Sequence, residues 1–202
     1  MRPDECIHCK EFPCQDVKHD RYQVPGVDVD AQRVRLILIS EAAPDCPADY
    51  YYAAGTPSFA LTTLQAFNEA GINTRSIQDL LDRGVYLTTA VKCGKTGYSI
   101  ETTTMQECSH LLEGELALFP NVQAYLLMGD VAIKAVNFIA KRSGEGRAIP
   151  AGSTYKIRGG DFRFHGKPAL PSYVQVGPSF GIEKSKQKMI AEDIAAAFRL
   201  LA

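Results

Sequence analysis

No stretch of this 202-residue chain approaches the roughly 18 uninterrupted apolar residues that a membrane-spanning helix needs. The opening Met1-Arg2-Pro3-Asp4-Glu5 lacks the apolar core of a secretory leader. Internal repeats, heptads and low-complexity tracts are also missing, which excludes solenoids, coiled coils and fibrous folds. Nor is there a charge of one sign: 22 Lys and Arg stand against 23 Asp and Glu, so the formal net charge of −1 does not advertise a nucleic-acid partner. These absences predict a cytoplasmic, non-membrane protein. With 46% hydrophobic residues, residues 1–202 suffice for one domain with a full core.

In a reducing cytoplasm, six cysteines point to metal and away from disulfides. Cys6-Ile7-His8-Cys9 is a C-x2-C pair near the N-terminus, and Cys93 and Cys108 are separated by fourteen residues. Zinc suits C-x2-C, but C-x14-C fits a zinc knuckle poorly, whereas an iron–sulfur cluster tolerates scattered cysteines because it is several ångströms wide. The pattern predicts that Cys6, Cys9, Cys93 and Cys108 share a 4Fe-4S cluster that ties residues 1–30 to the middle of the chain, with zinc and free thiols as the alternatives. Cys14, close to Cys9, is a further candidate, and Cys46 reads as a spare.

Val34–Ile39, Val85–Ala90 and Val122–Met128 are short apolar, β-rich runs. Helical periodicity between them covers Phe59–Ala70, Ser76–Arg83, Thr104–Phe119, Asp130–Lys141 and Glu183–Leu201. Thr104 and Glu107 are spaced as a capping box, which would put Cys108 near a helix start. Alternating strands and helices predict a three-layer α/β/α sandwich with a central, mainly parallel sheet. In such sheets ligands sit beyond the strand C-termini, which here means Ser40–Tyr52, the segment after Thr89 and the Gly129-Asp130 turn. Tyr173–Val176 reads as a last strand, and residues 155–164 as a hairpin turning at Gly159-Gly160 with Lys156, Arg158 and Arg163 in a basic row. Between positions 134 and 167 eight Lys or Arg meet only Glu145 and Asp161, a local cationic region suited to phosphates. Asp45, Asp49, Tyr50, Tyr51, Tyr52 and Phe59 concentrate acids and aromatics on one loop, where an acid can orient water and a ring can stack a splayed base, or where the rings simply cover the sheet edge.

The C-x2-C pair, the Val91-Lys92-Cys93 segment and the C-x14-C spacing together resemble the iron–sulfur uracil-DNA glycosylases of family 4. Ser40-Glu41-Ala42-Ala43-Pro44 looks like that family's Gly-Glu-Ala-Pro-Gly loop, and Leu126–Ala132 like its later strand-Gly-helix segment. Gly177-Pro178-Ser179 takes the place of its His-Pro-Ser/Ala motif. The resemblance implies DNA as partner, a nucleotide flipped out of the duplex and water attacking C1′ as charge builds on the leaving base. It implies roles for Glu41, Asp45 or Asp49 in catalysis, with Phe59 or Tyr52 stacking the base, and Thr89, Gly177 and Ser179 lining the base site. Two positions depart from the pattern: Thr89 stands where the family has the Asn that reads the uracil edge, and Gly177 where it has the His that stabilises the departing anion. Loss of such a donor costs roughly 10²–10³ in rate, so weak uracil activity or another deaminated base is expected. Lys184, Lys186 and His165 are candidate replacement cations. A monomer that excises a base is the expectation, a non-catalytic nucleic-acid-binding module of the same fold its rival, and an electron carrier a third reading.

Overall fold

Leu36 and Leu38 face one way from their strand and Ile37 and Ile39 the other, and all four are fully buried. A strand apolar on both faces needs cover on both sides. A computed structural model describes residues 1–201, apart from the side chains of Pro178 and Ser179. Its strands are β1 (Val17–Lys18), β2 (Leu36–Ala43), β3 (Val85–Lys95), β4 (Ala124–Met128), β5 (Arg163–Phe164) and β6 (Lys167–Ser172). Its helices are α1 (Ser58–Glu69), α2 (Ile77–Asp82), α3 (Thr102–Leu116), α4 (Asp130–Arg142), α5 (Thr154–Ile157) and α6 (Lys184–Arg199).

The sheet runs β1-β3-β2-β4-β6-β5, with β3, β2, β4 and β6 mutually parallel and the two-residue edge strands antiparallel. Ile37, Ile39, Tyr86, Tyr125 and Leu127 pack under α3 and α4. Leu36, Leu38, Val85, Leu87 and Leu126 pack under α1, α2 and α6. The fold is therefore the expected three-layer α/β/α sandwich. Among the described residues no helix is long and apolar enough to cross a membrane.

Connectivity fixes where a ligand edge lies. From central β2 the chain first adds β3 on one side by way of α1 and α2, then returns through α3 to add β4 on the other side. The helices following β2 and β4 thus cover opposite faces, which opens a crevice between the C-terminal ends of those two strands. Ser40–Ala43 and Gly129 flank it.

Three local expectations are corrected. The helix predicted from Thr104 begins at Thr102, and Cys108 sits in its middle; Asp16 receives the Glu101 N–H (2.6 Å) and the Thr104 hydroxyl, so a residue 85 positions away replaces the local capping box. The hairpin turns at His165-Gly166, not at Gly159-Gly160: both turn residues have positive φ (50° and 71°), which matches the twist of a two-residue loop. Residues 154–157 form a helical turn instead, and Arg158 is drawn onto α6, where Asp193 (2.8 Å) and Glu192 (2.9 Å) hold it. The last strand is Lys167–Ser172; its two prolines hid it from a reading by propensity, and 173–176 run on as irregular chain.

Candidate metal centre and sheet-edge site

In β3, Val91 pairs with Ala42 and Gly94 with Ala43, so Lys92 and Cys93 are two extra residues bulged out of the ladder. A bulge re-aims side chains. Cys93 enters the apolar cluster that also holds Cys108 of α3, with Cys14 packed against it. Cys9, Cys14 and Cys108 line one open cleft of about 260 Å³, together with His8, Glu107 and His110. Burial, and then proximity to Cys108, Cys9 and Cys14, together push the Cys93 thiol up to about 12. Burial likewise lifts Cys108 to about 11, opposed by the Lys92 N–H pointing at its sulfur. Of the four predicted ligands the structure thus gathers Cys9, Cys93 and Cys108. Cys6 stands outside the group, exposed, its Sγ 3.7 Å from the Arg2 carbonyl oxygen. Cys46 is exposed on its loop. Among the described residues no three Cys, His, Asp or Glu side chains stand close enough to share one metal ion.

Beneath the thiols lies a fully buried ion pair. Lys92 Nζ donates to the Glu115 carboxylate, to Thr88 Oγ1 (2.8 Å) and to the Thr89 carbonyl oxygen (2.6 Å). Glu115 Oε1 also accepts from the Tyr86 hydroxyl (2.7 Å) and from Thr88 Oγ1 (2.8 Å). Burial and then the neighbouring Glu115 charge hold the Tyr86 phenol well above its usual range, which keeps it a donor. The pair escaped sequence reading, because nothing local distinguishes a buried Lys or Glu from a solvated one.

At the crevice, Glu41 Oε2 meets Lys95 Nζ at 3.3 Å, bridging the ends of β2 and β3. Gly129 has φ +97°, and a Cβ there would fall 2.8 Å from Glu41 Oε1 and 2.4 Å from Val174. Only glycine allows α4 to start this close to the carboxylate, whose charge the helix N-terminus favours. Glu41 therefore braces the loop. Beside it, Ser40, Tyr51, Thr63 and Gln175 form a buried polar knot: Gln175 Nε2 donates to Ser40 Oγ (3.0 Å), Tyr51 Oη (3.0 Å) and Thr63 Oγ1 (3.3 Å). Gln175 thus ties the approach to Gly177 to the β2 end.

The acid-and-aromatic loop folds mostly inward. Phe59 is buried with its ring near-perpendicular to that of Tyr51, centroids 5.4 Å apart. The Tyr52 hydroxyl takes the Leu87 N–H and donates to the Leu87 carbonyl, both at 3.0 Å, and so caps the open edge of β3. Asp49 Oδ1 accepts the Ser58 N–H (3.3 Å) at the start of α1. Asp45 is exposed and paired with Lys18 at 2.5 Å. The hydroxyls of Thr89 and Tyr50 are buried without a partner among the described residues. An unmade hydrogen bond of that kind costs about 1–3 kcal/mol. Gly177 is half-buried at φ +85°, with no described atom within 4 Å of where a Cβ would sit; the Ser179 side chain lies outside the described residues.

Of the cationic stretch, Lys134 pairs with Asp130, Arg142 with Glu113, Arg158 with Asp193 and Glu192, and Arg163 with Asp161. Much of its charge is spent internally. His165 sits exposed on its turn against the Phe164 ring, and Lys186 pairs with Glu183.

No family model matches the chain. Over 73 residues it is 33% identical to a type-5 uracil-DNA glycosylase of Thermus thermophilus, a match covering 34% of this chain and 33% of that protein, so the similarity spans about a third of the relative's length. Among solved structures, the wild-type UNG from Nitratifractor salsuginis superposes with a TM-score of 0.38 at 14% identity, covering 83% of this chain and 75% of that one.

Proposed function

We propose that this chain is an iron–sulfur DNA glycosylase that hydrolyses the N-glycosidic bond of a flipped uracil or other deaminated base. The observation that carries the reading is the gathering of thiols at the bulge ending β3, next to the crevice where the sheet changes direction. The partial similarity to a type-5 uracil-DNA glycosylase points the same way. Thiolates are soft donors suited to iron–sulfur centres, and a cluster asks for ligands set wider apart than a single ion does, because its irons and sulfides lie between them. Bound there, the cluster supplies a rigid cross-link between the N-terminal segment, β3 and α3.

The reaction itself falls to side chains at the crevice. Glu41, clamped by Lys95 and the start of α4, sets the shape of the loop that enters the site. Asp45 and Asp49 flank the same loop and are the acids that orient the attacking water. We assign Thr89, whose hydroxyl has no partner among the described residues, to the edge of an extruded base and Phe59 or Tyr52 to stacking it; Thr89 and Phe59 are buried as the chain stands, so a base reaches them only if the loop after β2 moves aside. Gly177 brings no donor to the departing anion. Excision of uracil is therefore slower than a site with a cationic or imidazole donor would give.

The test is a glycosylase assay on single- and double-stranded oligonucleotides carrying uracil, hypoxanthine or xanthine, with iron content measured on the same preparation. Abasic product from any of them supports the reading. Tight, salt-dependent binding with no released base across the panel replaces it with a non-catalytic DNA-binding module.

A further inference from the structure

We propose that the fourth thiol of the metal centre belongs to Cys14, not to Cys6, so that the N-terminal ligand pair is Cys9-x4-Cys14 and the Cys6 thiol is free. The inference rests on the iron–sulfur reading given above and assigns the residues that serve it.

Four observations converge. Cys14 shares the cleft with Cys9 and Cys108 and packs on the cluster that contains Cys93, whereas Cys6 does neither. The backbone around Cys6 is committed elsewhere: its N–H donates to the Pro3 carbonyl (3.0 Å) within a 3-10 turn. That turn is fastened to the rest of the chain by the Asp4 N–H on the Pro25 carbonyl (3.3 Å) and the Val29 N–H on the Met1 carbonyl (2.9 Å). The next carbonyl, of Ile7, accepts the Tyr22 hydroxyl at 3.0 Å. These bonds hold the Cys6 segment where it stands, with its thiol outside the cleft.

The segment between Cys9 and Cys14 is, by contrast, shaped to turn back. Phe12 adopts φ +47°, a left-handed conformation that costs a side-chain-bearing residue about 1–2 kcal/mol. Its ring is held edge-on to Tyr22 (centroids 5.4 Å) and against His19 (5.2 Å). Strain of this sort persists only where surrounding packing enforces it, and it gathers at functional sites. Pro13 follows immediately, limiting the backbone that presents Cys14. Asp16, just beyond, is bonded to the start of α3, so the Cys14 segment and the helix bearing Cys108 are held together by more than the metal.

Protein purified without oxygen decides the matter by iron and sulfide content, visible absorption and thiol mapping. In the native wild type, brief iodoacetamide treatment followed by peptide mass analysis should label Cys6 and Cys46 and spare Cys9, Cys14, Cys93 and Cys108. Cys6→Ala should keep wild-type iron content and absorption, and Cys14→Ala should fall to background. Cys14 labelled while Cys6 is protected, or iron lost from Cys6→Ala and kept by Cys14→Ala, overturns the assignment while leaving the cluster in place. Mapping on the wild type covers the case in which a variant fails to fold. Wild-type protein carrying zinc or no metal defeats the cluster reading itself, and the assignment falls with it.

Discussion

Replacing Lys92 by Met removes the cation paired with a carboxylate that, like it, is fully buried. Glu115 would keep the Tyr86 and Thr88 hydroxyls as donors, but its charge would be uncompensated, and the Thr89 carbonyl would lose its 2.6 Å partner. Breaking a buried pair from one side costs about 3–5 kcal/mol. At roughly 2–4 °C per kcal/mol for a domain of this size, Tm should fall by roughly 10 °C. Glu115→Gln strands the ammonium instead and should cost a similar amount. In the Lys92→Met/Glu115→Gln double variant both charges are gone and the glutamine carbonyl still accepts from Tyr86, so the loss should be smaller than the sum of the singles by roughly 1–3 kcal/mol. The assay is equilibrium denaturation of all four proteins, with iron content followed in parallel because loss of a bound metal would itself lower stability. Single variants within about 1 kcal/mol of wild type, or strictly additive losses, would show that the pair is not the lock between β3 and α3 inferred from its geometry.

Four further outcomes are expected. Gly129→Ala combines a left-handed backbone with a Cβ 2.4 Å from Val174, and should destabilise by about 2 kcal/mol or more, seen as a lower denaturation midpoint. Gly177→His meets no described atom within 4 Å of its Cβ, at φ +85°; it should cost about 1 kcal/mol of stability and raise the rate of uracil release, and an unchanged rate would argue against a missing donor at that position. Cys93→Ala should abolish visible absorption and expose residues 9–16 to limited proteolysis. Finally, the Arg75 N–H and the Ser76 hydroxyl hold the Asp79 carboxyl below its ordinary value of 3.8. A depressed carboxylate stabilises the fold above that value, and the contribution fades as pH falls through the lower, folded one. The protection of the Arg75 amide, measured against its intrinsic exchange rate at each pH, should therefore fall below about pH 4 in the wild type, and Asp79→Asn should lose that pH dependence.

The central strands were legible because burial on both faces leaves an unbroken apolar run that neither a loop nor a surface helix tolerates. The start of α2 was legible too: Ser76 accepts the Asp79 N–H at 3.1 Å, a bond between residues three apart. Where expectation and structure part, the deciding contact is distant. Asp16 starts α3 from 85 residues upstream, and α6 pulls Arg158 out of the basic ribbon assigned to it. The acids and rings after β2 stand out in the sequence, but whether each faces ligand or core depends on the edge of β3, which Tyr52 covers.

The cysteines divide the two kinds of information most sharply. Spacing alone set two of the six cysteines at the end of a buried strand and on the following helix. C-x2-C and C-x4-C are equally available to a flexible chain, so the proposed choice of Cys14 over Cys6 as partner to Cys9, Cys93 and Cys108 rests on the fold. The cleft that Cys14 shares with Cys9 and Cys108, the left-handed turn at Phe12 and the hydrogen bonds pinning residues 3–7 distinguish them, and all depend on partners outside the local sequence.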